Sequence, residues 1–123
     1  MNKLFQNFKR FKSRKAIFTT EGEIVYYGDF LKYAELLKKK ILSRNIILLI
    51  TENSCSSILS YVATYLSENS IILVDRNLDK SFISKIIKSY EPNYIISPQN
   101  YTINETTKKI LFINNFVVKK TAF

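Results

Sequence analysis

Few residues of this 123-residue chain have types and spacings that suit chemistry, and each has a plain structural alternative. Cys55 falls in the first turn of an expected helix, where the dipole lowers a thiol pKa and favours a nucleophile; the alternative is a buried, inert thiol. Asp75 closes an apolar strand, the place of a phosphoacceptor carboxylate. That chemistry also wants an acidic pair after an earlier strand and a Lys after a later one. Thr51-Glu52 and Ile96-Ser97-Pro98 supply neither, so Asp75 is expected to cap or turn the chain. Tyr61, Tyr65 and Tyr90 could stack bases, but their helical spacing fits core packing. Lys38-Lys39-Lys40 reads as a solvated helix end placed where cations suit the dipole.

Composition closes other routes. There is no His and there is one Cys, so a His-based triad, a His-ligated metal and a Cys-rich zinc site within one chain are excluded. The two glycines, Gly22 and Gly28, stand apart and form no glycine-rich phosphate loop. No catalytic, cofactor-binding or metal-ligating residue is assigned.

The net charge of +9 suggests nucleic acid, but its distribution does not. Residues 1–15 carry six basic side chains and no acid, residues 103–123 carry four against Glu105, and residues 16–102 balance nine with nine. The excess belongs to the two ends, and a nucleic-acid-binding role ranks below the other readings. The longest apolar run, Ile46 to Ile50, is far short of a membrane span. Charges through Lys15 break up any secretory leader. A cytoplasmic location is expected.

The elements that must position these residues follow from periodicity. Leu4, Phe5, Phe8 and Phe11 make a basic amphipathic helix within residues 1–15, expected to dock its aromatic stripe on its own domain rather than on a membrane. Ala16–Thr19 and Ile24–Tyr27 read as a hairpin turning at Glu21-Gly22. A helix from Gly28-Asp29 buries Phe30, Tyr33, Ala34, Leu37 and Ile41. Ile46–Ile50 suits a strand covered on both faces. Thr51–Ser54 offers N-cap chemistry for a helix to about Ser67 with Ile58, Tyr61, Val62, Tyr65 and Leu66 inward. Asn69 is the expected left-handed cap. Strand Ile71–Val74 follows, then a helix from Asp79 or Ser81 with Phe82, Ile83, Ile86, Ile87 and Tyr90 inward, stopped at Glu91-Pro92. Strand Tyr94–Ile96, a polar loop from Gln99 to Thr107 and strand Ile110–Ile113 complete the pattern, and Asn114–Phe123 shows no turn chemistry. Alternating strands and helices predict a layered α/β domain over residues 16–123, with a mostly parallel sheet, flanking helices and a small antiparallel hairpin near the N-terminus.

The order and spacing of these elements over about residues 11–97 resemble the N-terminal subdomain of the adenylate-forming (AMP-binding) synthetases: acyl-CoA synthetases, carrier-protein ligases and nonribosomal peptide adenylation domains. Val25-Tyr26-Tyr27-Gly28-Asp29-Phe30 stands where that family has Leu-Thr-Tyr-x-Glu-Leu. Leu48 to Ser54 matches its apolar strand followed by Glu/Asn-Ser, Tyr61-Val62-Ala63 its Ala-containing helix, Ile71 to Asp75 its strand ending Pro-x-Asp, and Tyr94-Ile95-Ile96 a later strand. The chain departs from the pattern at Tyr26, at Glu68 (for Gly) and at Leu73 (for Pro).

The resemblance implies the front piece of a longer ligase. With ATP and Mg, the parent would convert a carboxylic acid to an acyl-adenylate, then pass it to a thiol of coenzyme A or a carrier protein. The family's phosphate loop is only faintly echoed by Thr102–Lys109, so the chain is expected to stop before that loop and to be inactive alone. Its partners would be the remainder of the synthetase, and apolar surface left exposed could pair two copies. The alternatives are a stand-alone α/β interaction module or, less favoured, a small nucleic-acid binder.

Overall fold

The computed structural model describes residues 3–123; Met1 and Asn2, part of the 1–15 stretch, lie outside the described residues. Helix α1 (Lys3–Arg10) is followed by the hairpin β1 (Lys15–Phe18) and β2 (Ile24–Tyr26), then α2 (Tyr27–Ile41). Next come β3 (Ile46–Thr51), α3 (Cys55–Leu66), β4 (Ser70–Asp75), α4 (Lys80–Tyr90) and β5 (Tyr94–Pro98), and last β6 (Lys108–Ile113) and β7 (Phe116–Lys120). The main sheet has the order β4-β3-β5-β7-β6. β3 pairs in parallel with β4 and β5, and β7 runs antiparallel to both its neighbours. The layered α/β architecture with its N-terminal hairpin is the expected one.

β3 shows why its sequence has no polar alternation. Ile47 and Leu49 face a core built with α2 and α3, while Leu48 and Ile50 face a second core under α4. All four are fully buried, as a strand covered on both faces requires. α1 docks on the larger core: Phe8 lies 5.1 Å from the Tyr27 ring and 5.3 Å from that of Phe30. Gly22 turns the hairpin at φ +89. Gly28 is needed for a different reason. Its N–H donates to the Lys12 carbonyl at 2.9 Å, and a Cβ there would sit 3.0 Å from that oxygen.

Several expectations are corrected. On α3, Ile58, Tyr61 and Tyr65 are exposed. Leu66 is buried as expected, and with it the helix turns Leu59, Ser56, Ser60, Ala63 and Thr64 to the interior, the small side chains among them letting it lie close between α2 and the sheet. Phe82 and Tyr90 of α4 are exposed as well, and Ile83 and Ile87 form its buried stripe. Ser54 stands at the N-cap of α3 without a side-chain cap bond; Ser57 reaches back instead, accepting from the Glu52 N–H at 2.9 Å and donating to its carbonyl at 2.6 Å.

The left-handed residue after α3 is Glu68 (φ 63), not Asn69. Asn69 works through its side chain, whose Oδ1 accepts from the Asn45 N–H at 2.9 Å and whose Nδ2 donates to Ser67 and to the Leu42 carbonyl. Asn114–Phe123 does contain a turn. Asn114 adopts φ 53, a conformation Asn tolerates, and sends β7 back between β5 and β6.

Candidate functional site

Parallel strands that share a direction end together, and in open α/β sheets the crevice beyond their carboxyl ends is where ligands bind. Here β4 ends at Asp75, β3 at Thr51 and β5 at Pro98. Because β7 runs against β5, with Pro98 opposite Phe116, the Asn114-Asn115 turn arrives at the same edge. The start of α3 and Glu23, at the entry to β2, close it from the other side.

Two polar knots hold this edge. In the first, Glu52 Oε1 accepts from Arg76 Nη1 at 2.6 Å, and the same nitrogen donates to Asn100 Oδ1 at 3.0 Å. The Arg76 N–H also donates to the Thr51 carbonyl at 2.8 Å. One side chain thus links the turns after all three parallel strands. In the second, Glu23 Oε1 accepts from Cys55 Sγ at 2.8 Å and Glu23 Oε2 from Asn114 Nδ2 at 3.2 Å. Asn114 Nδ2 also donates to Ser56 Oγ at 3.0 Å. The hairpin, α3 and the β6–β7 turn are tied here.

Electrostatics sets what these groups can do. Burial, reinforced by the hydrogen bond to the Glu23 carboxylate, pushes the Cys55 thiol up to about 11. The helix-start nucleophile reading is thereby lost and the buried-thiol alternative is the observed one. The Glu23 carboxyl is held below its usual range by the bonds from Cys55 and then Asn114. Arg76 is matched by Glu52. What the edge offers a ligand is a polar cleft of about 300 Å³ lined by Glu52, Pro98, Gln99, Asn100 and Asn115, chiefly amide donors and acceptors.

The other sequence candidates fall elsewhere. Asp75 serves the turn as expected, its Oδ1 accepting from the Asn77 N–H at 2.7 Å. Lys38 lies over the Phe5 ring at 4.5 Å, helping to seat α1. Lys108 and Lys109 stand in β6, opposite Lys120 and Lys119, so the Thr102–Lys109 stretch leads into a strand rather than cradling phosphate at a helix start. Arg76, Gln99, Asn100 and Asn114 went unassigned in the sequence. The available signal was position, because each polar residue immediately follows an apolar strand.

No protein-family model matches the sequence, and no curated protein matches it significantly. Solved structures do. The N-terminal subdomain of Klebsiella oxytoca NpsA superposes with a TM-score of 0.67 at 18% identity, over 84% of this chain and 28% of that one. CmiS6 superposes at 0.69 with 13% identity over 96% of this chain and 31% of its own. PA1221, a nonribosomal peptide synthetase protein containing adenylation and carrier domains, superposes at 0.62 with 20% identity over 82% and 22%. The fold is that of the N-terminal subdomain of adenylation proteins, and the chain spans under a third of the length of each of these three.

Proposed function

We propose that this chain is the opening portion of an adenylate-forming ligase. The parent activates a carboxylic acid with MgATP to an acyl-adenylate and pyrophosphate, then transfers the acyl group to a thiol of coenzyme A or a carrier protein. In that scheme the chain supplies sheet, core and one wall of the active-site crevice, and further polypeptide brings the reacting groups. The observation that carries this reading is the likeness to adenylation-protein subdomains over nearly the whole chain. The exposed α3 stripe of Ile58, Tyr61 and Tyr65 supports it as surface suited to further polypeptide.

The residues present do not make a seat for MgATP. Both glycines lie in the first 28 residues, outside the turns that follow β3, β4 and β5, and the Glu52 carboxylate is taken by Arg76. Among the described residues no cluster of three potential metal ligands occurs. No chemical step is therefore assigned to this chain.

The test is the intact mass of the native product, followed by ATP–pyrophosphate exchange with a panel of carboxylic acids. A product several times heavier than 14.4 kDa that exchanges pyrophosphate is expected. A native product ending at Phe123 would overturn the reading and put the stand-alone interaction module first.

A further inference from the structure

Among the described residues, β4 ends the sheet on one side and pairs only with β3. Ser70 and Arg76 donate their N–H groups to β3-side carbonyls, so by strand alternation Ile71 and Leu73 turn theirs outward. Exposed edges are ordinarily blunted by charge, proline or a bulge. Ile71–Val74 has no charged residue and no proline, and its register with β3 is regular throughout. Beside this edge, Phe82, Ile86 and Tyr90 recur every fourth residue along one side of α4, and Leu78 lies in the turn before it. Together strand and helix form a groove of about 810 Å³. Asp75 and Lys85 both stand in its wall; Asp75 Oδ1 accepts from the Asn77 N–H at 2.7 Å, whereas Lys85 has no ion pair or hydrogen bond among the described residues.

We propose that this groove receives an extended segment of a partner protein. The segment adds a strand to β4 and places a carboxylate on Lys85 between two apolar side chains. Main-chain bonds to Ile71 and Leu73 give affinity, and alternate side chains give specificity. Charge selects this occupant over a second copy. The middle of β4 lies about 8 Å from Asp75 at ~3.3 Å per residue, which is five or six residues into α4 at ~1.5 Å each, near Lys85. A two-fold axis through β4 would therefore press the two Lys85 ammonium groups together.

The probe is the blocked peptide acetyl-Leu-Thr-Glu-Val-Leu-amide, with Gln and Lys versions, titrated into the 123-residue chain by calorimetry. The Glu peptide is expected to bind roughly two- to fivefold more tightly than the Gln peptide, the size of an exposed ion pair. Lys85→Glu should reverse the order, favouring the Lys peptide. Leu73→Pro removes an outward N–H without touching the β3 ladder and should abolish binding; the charge reversal stands as the test if that variant fails to fold. Equal affinity for the Glu and Gln peptides, or no binding at millimolar peptide, would overturn the proposal. So would a dimer in sedimentation that Leu73→Pro or Lys85→Glu disperses, because a second copy would then own the edge.

Discussion

Cys55 and Lys119 are ionisable side chains whose burial disfavours their charged forms, and both leave a mark on stability. Cys55 has a folded pKa of about 11, raised from 9.0. Its contribution is complete below pH 9 and is lost as pH rises toward 11. Cys55→Ala should flatten that fall in urea melts, and the native thiol should react with iodoacetamide at pH 8 far more slowly than the unfolded one. Lys119 keeps only 8% of its surface and faces Lys109 across the β6–β7 ladder; desolvation and then the Lys109 charge lower its pKa. The native state then binds fewer protons than the unfolded state, so stability rises with pH up to the unfolded value of 10.5. Because this opposes Cys55, the single variants must be measured separately. Lys119→Met should stabilise the 123-residue chain by about 1 kcal/mol, raising the melting temperature by about 3–5 °C and removing the low-pH penalty.

At the scale of elements, the joint between α2, α3 and the sheet depends on Asn69. Its side chain binds the start of β3 through Asn45, the end of α2 through Leu42 and the end of α3 through Ser67. Asn69→Ala should cost about 1–3 kcal/mol in chemical denaturation, since the Asn45 N–H loses its partner. Glu68→Gly next to it should do the opposite, gaining about 1 kcal/mol by relieving a left-handed backbone at φ 63. The sequence marked this turn correctly, because a helix ending before Ile71 needs a left-handed residue near Ser67. It could not divide the labour, since which of two polar neighbours takes positive φ depends on what their side chains reach. The Asn114 turn escaped notice for a related reason. Its Asn-Asn pair is turn chemistry, but β7 carries two lysines and earns its central position only through pairing with β5 and β6.

At the scale of the molecule, the described residues leave apolar surface open on the α3 stripe at Ile58, Tyr61 and Tyr65 and in the β4–α4 groove with Leu73, Phe82 and Tyr90. They make separable predictions. A hydrophobic dye should bind the 123-residue chain, and Tyr61→Ser with Tyr65→Ser should reduce its fluorescence without lowering the melting temperature by more than a degree or two. If further polypeptide of a ligase covers α3, the same double change in the parent should destabilise it. An equal melting temperature in the parent would show that α3 faces solvent there too.

Local chemistry in the sequence was enough to determine the hairpin at Gly22, the helix stops at Glu68-Asn69 and Pro92, the doubly buried β3 and the order of the βαβ units. Strand periodicity, turn residues and caps act over a few residues and can be read in one dimension. Only the tertiary structure decided which face of α3 and α4 turns inward, that the β6–β7 hairpin completes the sheet, and that Glu52, Arg76 and Asn100 meet. The inner face of α3 mixes Leu59, Ala63 and Leu66 with Ser56, Ser60 and Thr64, so hydrophobic spacing was drawn to the larger Ile58, Tyr61 and Tyr65 of its outer face; close approach to α2 and the sheet overruled it. Glu52, Arg76 and Asn100 are 24 residues apart in steps. They meet because parallel strands deliver their carboxyl ends to one edge, a consequence of topology rather than of any local motif.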